Sequence, residues 1–172
     1  GILTGCTVPE ALLGRGVECL TYDTRTLREN ALFICKGAHF KEEYLRDALS
    51  HGAFAYVAEQ QHDVDAPCIL VSDIRYSLVV LGQLFYDHVT DKLTSIGITG
   101  TKGKSTTAYY VRYILNDWLR AQDRNECAIL SSIDNYDGKV SEESHITTPE
   151  VLELYQHFEN AHESGISHLV ME

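Results

Sequence analysis

The chain has 172 residues, of which 25 are Asp or Glu and 14 are Lys or Arg, for a formal charge of -11. That balance argues against a nucleic-acid or anionic-membrane surface, and no apolar run approaches the ~20 residues a bilayer span needs. Five scattered cysteines (Cys6, Cys19, Cys35, Cys68, Cys127) with no Cys-x-x-Cys pair read as reduced thiols of a cytoplasmic protein, and the eight histidines, lacking ligand spacing, read as surface or packing residues.

No basic region precedes Gly1-Ile2-Leu3, so no secretory signal is read there. Residues 19–36 read as two extended segments around a turn, the second being the apolar run Ala31–Lys36 that stops at Gly37. Tyr44, Leu45, Ala48 and Leu49 share one face of a helix from Glu42 to His51, which Gly52 ends. Ala53–Ala58 and Cys68–Val71 read as further strands. A helix from Ile74 to about Tyr86 is predicted to turn Leu78, Leu81, Leu84 and Phe85 inward. Strands alternating with helices define a layered α/β unit, and the polar stretch Asp87–Lys92 reads as a linker.

A second alternation comes next. Strand Leu93–Thr99 leads through a glycine-rich loop to a helix over Ser105–Ala121, then to strand Ala128–Ser131 and an irregular polar stretch through His145. Thr148 and Pro149 have the residue types of an N-cap and first helical position, and Leu152, Leu154, Tyr155 and Phe158 give the helix an apolar face. A last strand, Ser167–Glu172, ends on a carboxylate. The expected organisation is an α/β N-terminal domain over 1–90 and, over 91–172, the first part of a mostly parallel-sheet, P-loop-containing domain. That second unit is shorter than a complete doubly wound domain, so the sequence is expected to be the front piece of a longer protein.

The loop Gly97-Ile98-Thr99-Gly100-Thr101-Lys102-Gly103-Lys104-Ser105-Thr106-Thr107 carries the chemistry. Glycines let the backbone curl so that successive N–H groups face an anion, and the helix start adds its positive dipole end. Lys104 then reaches the β/γ-phosphates and Ser105 a magnesium ion. Gly100, Thr101, Lys102, Gly103, Lys104, Ser105 and Thr106 are the candidate ATP-binding residues, with Lys104 also catalytic. In the general P-loop pattern the first glycine falls where Ile98 stands, so the fit to it is imperfect.

The form Gly-x-Thr-Gly-Thr-x-Gly-Lys-Ser resembles instead the ATP loop of the Mur ligases, which build the peptide stem of peptidoglycan. Tyr22-Asp23-Thr24-Arg25 resembles the Asp-Ser-Arg motif of their N-terminal domain, and Ala31–Gly37 with Ala38–Leu45 resembles its uridine-contacting strand and turn. Ile146-Thr147-Thr148-Pro149-Glu150 and Val170-Met171-Glu172 resemble the Thr-Thr-Pro and Met-Glu-Val-Ser-Ser segments of the tripeptide-forming branch. The stretch Lys36–Leu45 is most similar to lysine-adding, Gram-positive members.

The resemblance implies an ATP-dependent ligase that phosphorylates the D-glutamate carboxylate of UDP-MurNAc-L-Ala-D-Glu. A diamino acid, L-lysine or else meso-diaminopimelate, then attacks the acyl phosphate to form an amide. It implies Ser105 and Glu172 as magnesium ligands and Thr147 and Thr148 as contacts to the sugar-linked part, with Thr148 alternatively a helix cap only. Tyr22, Thr24, Arg25, Lys36 and His39 are the implied uridine-side residues, although Arg25 alternatively just pairs with Asp23. The implied setting is the cytoplasm, as a monomer with small-molecule substrates, and this piece is expected not to turn over alone. A nucleotide-binding regulatory module and a P-loop phosphotransferase are the competing readings.

Overall fold

The apolar runs of the first half form a parallel sheet in the order β1-β2-β3-β4, from Cys19–Thr21, Ala31–Ile34, Ala53–Ala58 and Cys68–Leu70. This computed structural model describes residues 6–37, 40–144 and 146–172. Every position of β2 is buried, as expected of a strand covered on both faces. Helix α1 (Glu42–Ser50) adds Leu45 and Ala48 to a core with Phe33 and Tyr56. Gly52, which ends it, takes φ +111°, a conformation that would strain any side chain.

Helix α2 (Ile74–Phe85) is held at its start by Asp73, whose carboxylate accepts from the Arg75 and Tyr76 N–H groups at 2.8 and 3.0 Å. That phase buries Ile74, Ser77 and Leu78 but leaves Leu84 42% exposed, against expectation. At 3.6 residues per turn, Leu84 stands about 120° around the helix from Leu78.

The chain divides into two compact units between Phe85 and Tyr86. The stretch Asp87–Lys92 is not a free linker: Val89–Lys92 forms a 3-10 turn, and Val89 is wholly buried in the core of the second unit. A single apolar side chain in a polar run suffices to dock it.

The second unit contains β5 (Thr94–Gly97), α3 (Lys104–Arg120), β6 (Ala128–Leu130), β7 (Asp134–Tyr136), β8 (Ser141–Glu143), α4 (Val151–Glu163) and β9 (His168–Met171). Its sheet order is β5-β9-β6-β7-β8, with β5, β9 and β6 parallel and β7 and β8 antiparallel. Helices cover both faces. Ala128, Leu130 and Leu169 pack with Tyr155, Phe158 and Ala161 of α4, while Ile129 and Val170 pack with Ala108 and Leu119 of α3. No helix among the described residues is long and apolar enough to cross a membrane.

Two expectations are corrected here. The polar stretch after β6 is an antiparallel hairpin, β7–β8, closed by Gly138 at φ +91° and by Asp137, whose carboxylate accepts from the Lys139 and Val140 N–H groups. Thr148 does not cap α4; Glu150 occupies the N-cap position and makes no side-chain capping hydrogen bond there. His157 is a packing residue held by polar contacts. It is 5% exposed, with Nδ1 2.7 Å from Asp137 Oδ2, and Asn160 donates to the same oxygen at 2.9 Å. The five cysteines are all free, and burial pushes the Cys35 and Cys127 thiols up to about 12 and about 11, consistent with inert packing.

Candidate functional site

Parallel pairing sets the site. Gly97 of β5 and Leu130 of β6 both lie opposite Met171 of β9, so three strands stop at one level. The segments just beyond these strand ends must converge: the glycine loop, Glu172 and the pair Ser131-Ser132. The carboxyl ends of parallel strands are where such sheets bind ligands. The ladder runs one residue further, with Ile98 N–H donating to the Met171 carbonyl at 2.8 Å and Glu172 N–H to the Leu130 carbonyl at 3.0 Å.

Gly103, at φ +75°, turns the loop into α3 in a conformation that costs glycine little. Its carbonyl accepts from the Thr107 N–H and hydroxyl at 2.9 and 2.8 Å. Lys104 Nζ donates to the Gly100 carbonyl at 3.2 Å, folding the ammonium back over the loop. Gly100, Thr101, Lys102, Gly103 and Thr106 are exposed around it, and Lys104 and Ser105 are half-buried.

The Ser105 hydroxyl donates to Glu172 Oε2 at 3.1 Å and lies 3.2 Å from Ser132 Oγ. Ser132 N–H donates to Glu172 Oε1 at 3.2 Å. The Thr148 hydroxyl, free of any capping role, donates to the Glu172 carbonyl at 2.8 Å; Thr147 beside it is exposed. A hydroxyl and one carboxylate are hard oxygen donors suited to magnesium shared with phosphates and water. Among the described residues no cluster of three or more His, Cys, Asp and Glu offers a fuller cage.

In the first unit, β1 and β2 run parallel, and the residues beyond their carboxyl ends meet: Lys36 Nζ lies 4.1 Å from the centroid of the Tyr22 ring. Asp23 caps the 3-10 turn Thr24–Thr26 by accepting from Arg25 N–H at 2.9 Å, and it also grips the Arg25 guanidinium at 2.6 Å. Of the readings left open for Arg25, the pair with Asp23 is present. The guanidinium holds the Asp23 carboxyl below its usual range. Thr24 is half-buried on the same turn, and His39 lies outside the described residues.

Sequence reasoning missed Ser132. Its only local signal is a polar Ser-Ser pair placed directly after an apolar strand. It also missed the hydrogen bond from the Tyr109 hydroxyl to the Asp134 carboxylate, which ties α3 to the β6–β7 turn.

The glycine loop, the helix after it and the convergent strand ends have the layout of a phosphate-binding loop at the edge of a parallel sheet, and residues 98–172 match the family model of the Mur ligase middle domain. Over 168 residues the chain is 41% identical to the UDP-N-acetylmuramoyl-L-alanyl-D-glutamate–L-lysine ligase of Enterococcus faecalis, covering 96% of this chain and 32% of that protein. It is 39% identical over 161 residues to the UDP-N-acetylmuramyl-tripeptide synthetase of Lactobacillus delbrueckii subsp. bulgaricus, covering 91% of this chain and 30% of that one. The chain thus spans about a third of these relatives' length. The same fold occurs in a solved UDP-N-acetylmuramoyl-L-alanyl-D-glutamate–2,6-diaminopimelate ligase, with TM-score 0.67 and 17% identity over 96% of this chain and 35% of that one. It occurs also in MurF ligase of Thermotoga maritima in complex with ADP, with TM-score 0.51 and 22% identity over 88% of this chain and 31% of that one.

Proposed function

We propose that this chain carries the ATP-binding and UDP-substrate-binding parts of a ligase that extends UDP-MurNAc-L-Ala-D-Glu with a diamino acid, L-lysine being the favoured acceptor. The observation that carries this reading is the 3.1 Å contact of the Ser105 hydroxyl with the Glu172 carboxylate at the mouth of the glycine loop. ATP phosphorylates the D-glutamate side chain, the amine attacks the acyl phosphate, and phosphate leaves. The N–H groups of residues 100–104 and the Lys104 ammonium hold the phosphoryl oxygens where charge accumulates. Ser105 and Glu172 hold Mg2+, which neutralises part of that charge when bound. Thr147 and Thr148 serve the muramyl portion, and Tyr22, Thr24, Arg25 and Lys36 the uridine diphosphate. The protein works in the cytoplasm as a monomer, and amide formation requires more of the ligase than these residues.

Titration calorimetry tests it. UDP-MurNAc-L-Ala-D-Glu is expected to bind this chain, and Thr24→Ala to weaken that binding roughly tenfold through loss of one hydrogen bond to a charged group. Binding of ATP with no heat from the UDP-linked dipeptide would favour a nucleotide-binding module instead.

A further inference from the structure

We propose that Ser132 is a positioning residue of the magnesium–nucleotide site, its side-chain oxygen accepting the Ser105 proton once the cation is bound. This rests on the reading that Ser105 and Glu172 hold magnesium. A serine hydroxyl has one proton and two lone pairs. Here the Ser105 proton points to Glu172 Oε2 at 3.1 Å, so at 3.2 Å Ser132 Oγ is the donor to Ser105. A cation held by the Ser105 hydroxyl and the Glu172 carboxylate would repel that proton. The Ser105 O–H must then rotate away, and Ser132 Oγ is an acceptor already within reach. The hydroxyl pair reverses direction without transferring a proton, while Ser132 N–H continues to hold Oε1.

The turn that presents Ser132 is built for a fixed position. Ser131 Oγ accepts from the Ile133 and Asp134 N–H groups, both at 3.1 Å, and donates to the Asp134 carbonyl at 2.9 Å. Tyr109, one helical turn beyond Ser105, donates its hydroxyl to the Asp134 carboxylate. The helix carrying Ser105 and the turn carrying Ser132 are therefore tied to each other as well as to Glu172.

The test is the affinity of this chain for ATP with and without Mg2+, measured by calorimetry on the unaltered chain, Ser132→Ala and Ser132→Thr. Ser132→Ala is expected to lower the magnesium enhancement roughly threefold to tenfold, the worth of one hydrogen bond. It should leave metal-free affinity and the thermal midpoint unchanged, and Ser132→Thr, which keeps the hydroxyl, should restore the enhancement. Equal enhancement in the unaltered chain and Ser132→Ala overturns the proposal, as does a Thr variant as weak as Ala. If magnesium gives no enhancement in the unaltered chain, the assignment of Ser105 and Glu172 as its ligands falls first.

Discussion

Lys104 donates across the loop to an exposed carbonyl, a contact that contributes little to folding. Lys104→Ala is therefore expected to leave the thermal midpoint unchanged while ATP affinity falls roughly tenfold to a hundredfold, the range for a hydrogen bond to a charged group; calorimetry beside a melting curve separates the two effects. This residue was legible in the sequence because its setting is local: glycines, lysine and serine stand next to one another. Glu172 was legible for a related reason, standing at the end of an apolar strand. Ser132 was not, because only the register of β6 against β9 makes it a neighbour of Glu172. Thr148 shows the opposite failure, a local pattern overridden by a distant partner. Its cap geometry was plausible, yet a strand-end carbonyl took the hydroxyl instead.

The helices and buried strands announced themselves through periodicity, but β7 and β8 could not. Asp134–Tyr136 and Ser141–Glu143 have no clean alternation of apolar and polar side chains, so their pairing rests on backbone hydrogen bonds and on the Asp137 turn. Burial by itself would push the Asp137 carboxyl up, but hydrogen bonds from the Val140 N–H, Asn160, His157 and the Lys139 N–H together hold it below the ordinary carboxylate range. Such a group stabilises the folded state fully above its unfolded value, roughly pH 4, and the benefit fades as pH falls through the lower folded value. Urea denaturation at a series of pH values should show that loss only on the acid side. Asp137→Asn can keep its oxygen on the Lys139 and Val140 N–H groups but then turns an NH2 toward the His157 ring and the Asn160 amide, and it is expected to cost about 2–4 kcal/mol at neutral pH. It should also flatten the acid limb.

Two compact units in one chain predict two unfolding transitions in scanning calorimetry. Mg-ATP is expected to raise only the transition that Asp137→Asn lowers, because a ligand stabilises the unit that binds it; a single transition shifted as a whole by ATP would contradict this. The alternation of strand and helix made both units legible, whereas the spatial order of strands was not, since it depends on crossovers that no local pattern records. That order has a consequence during synthesis. β9 lies between β5 and β6 yet leaves the ribosome after them, so the earlier strands must wait with a gap where their shared neighbour belongs. Such non-local closure is slow, and a nascent chain halted at Ser167 has a glycine loop with no sheet to anchor it.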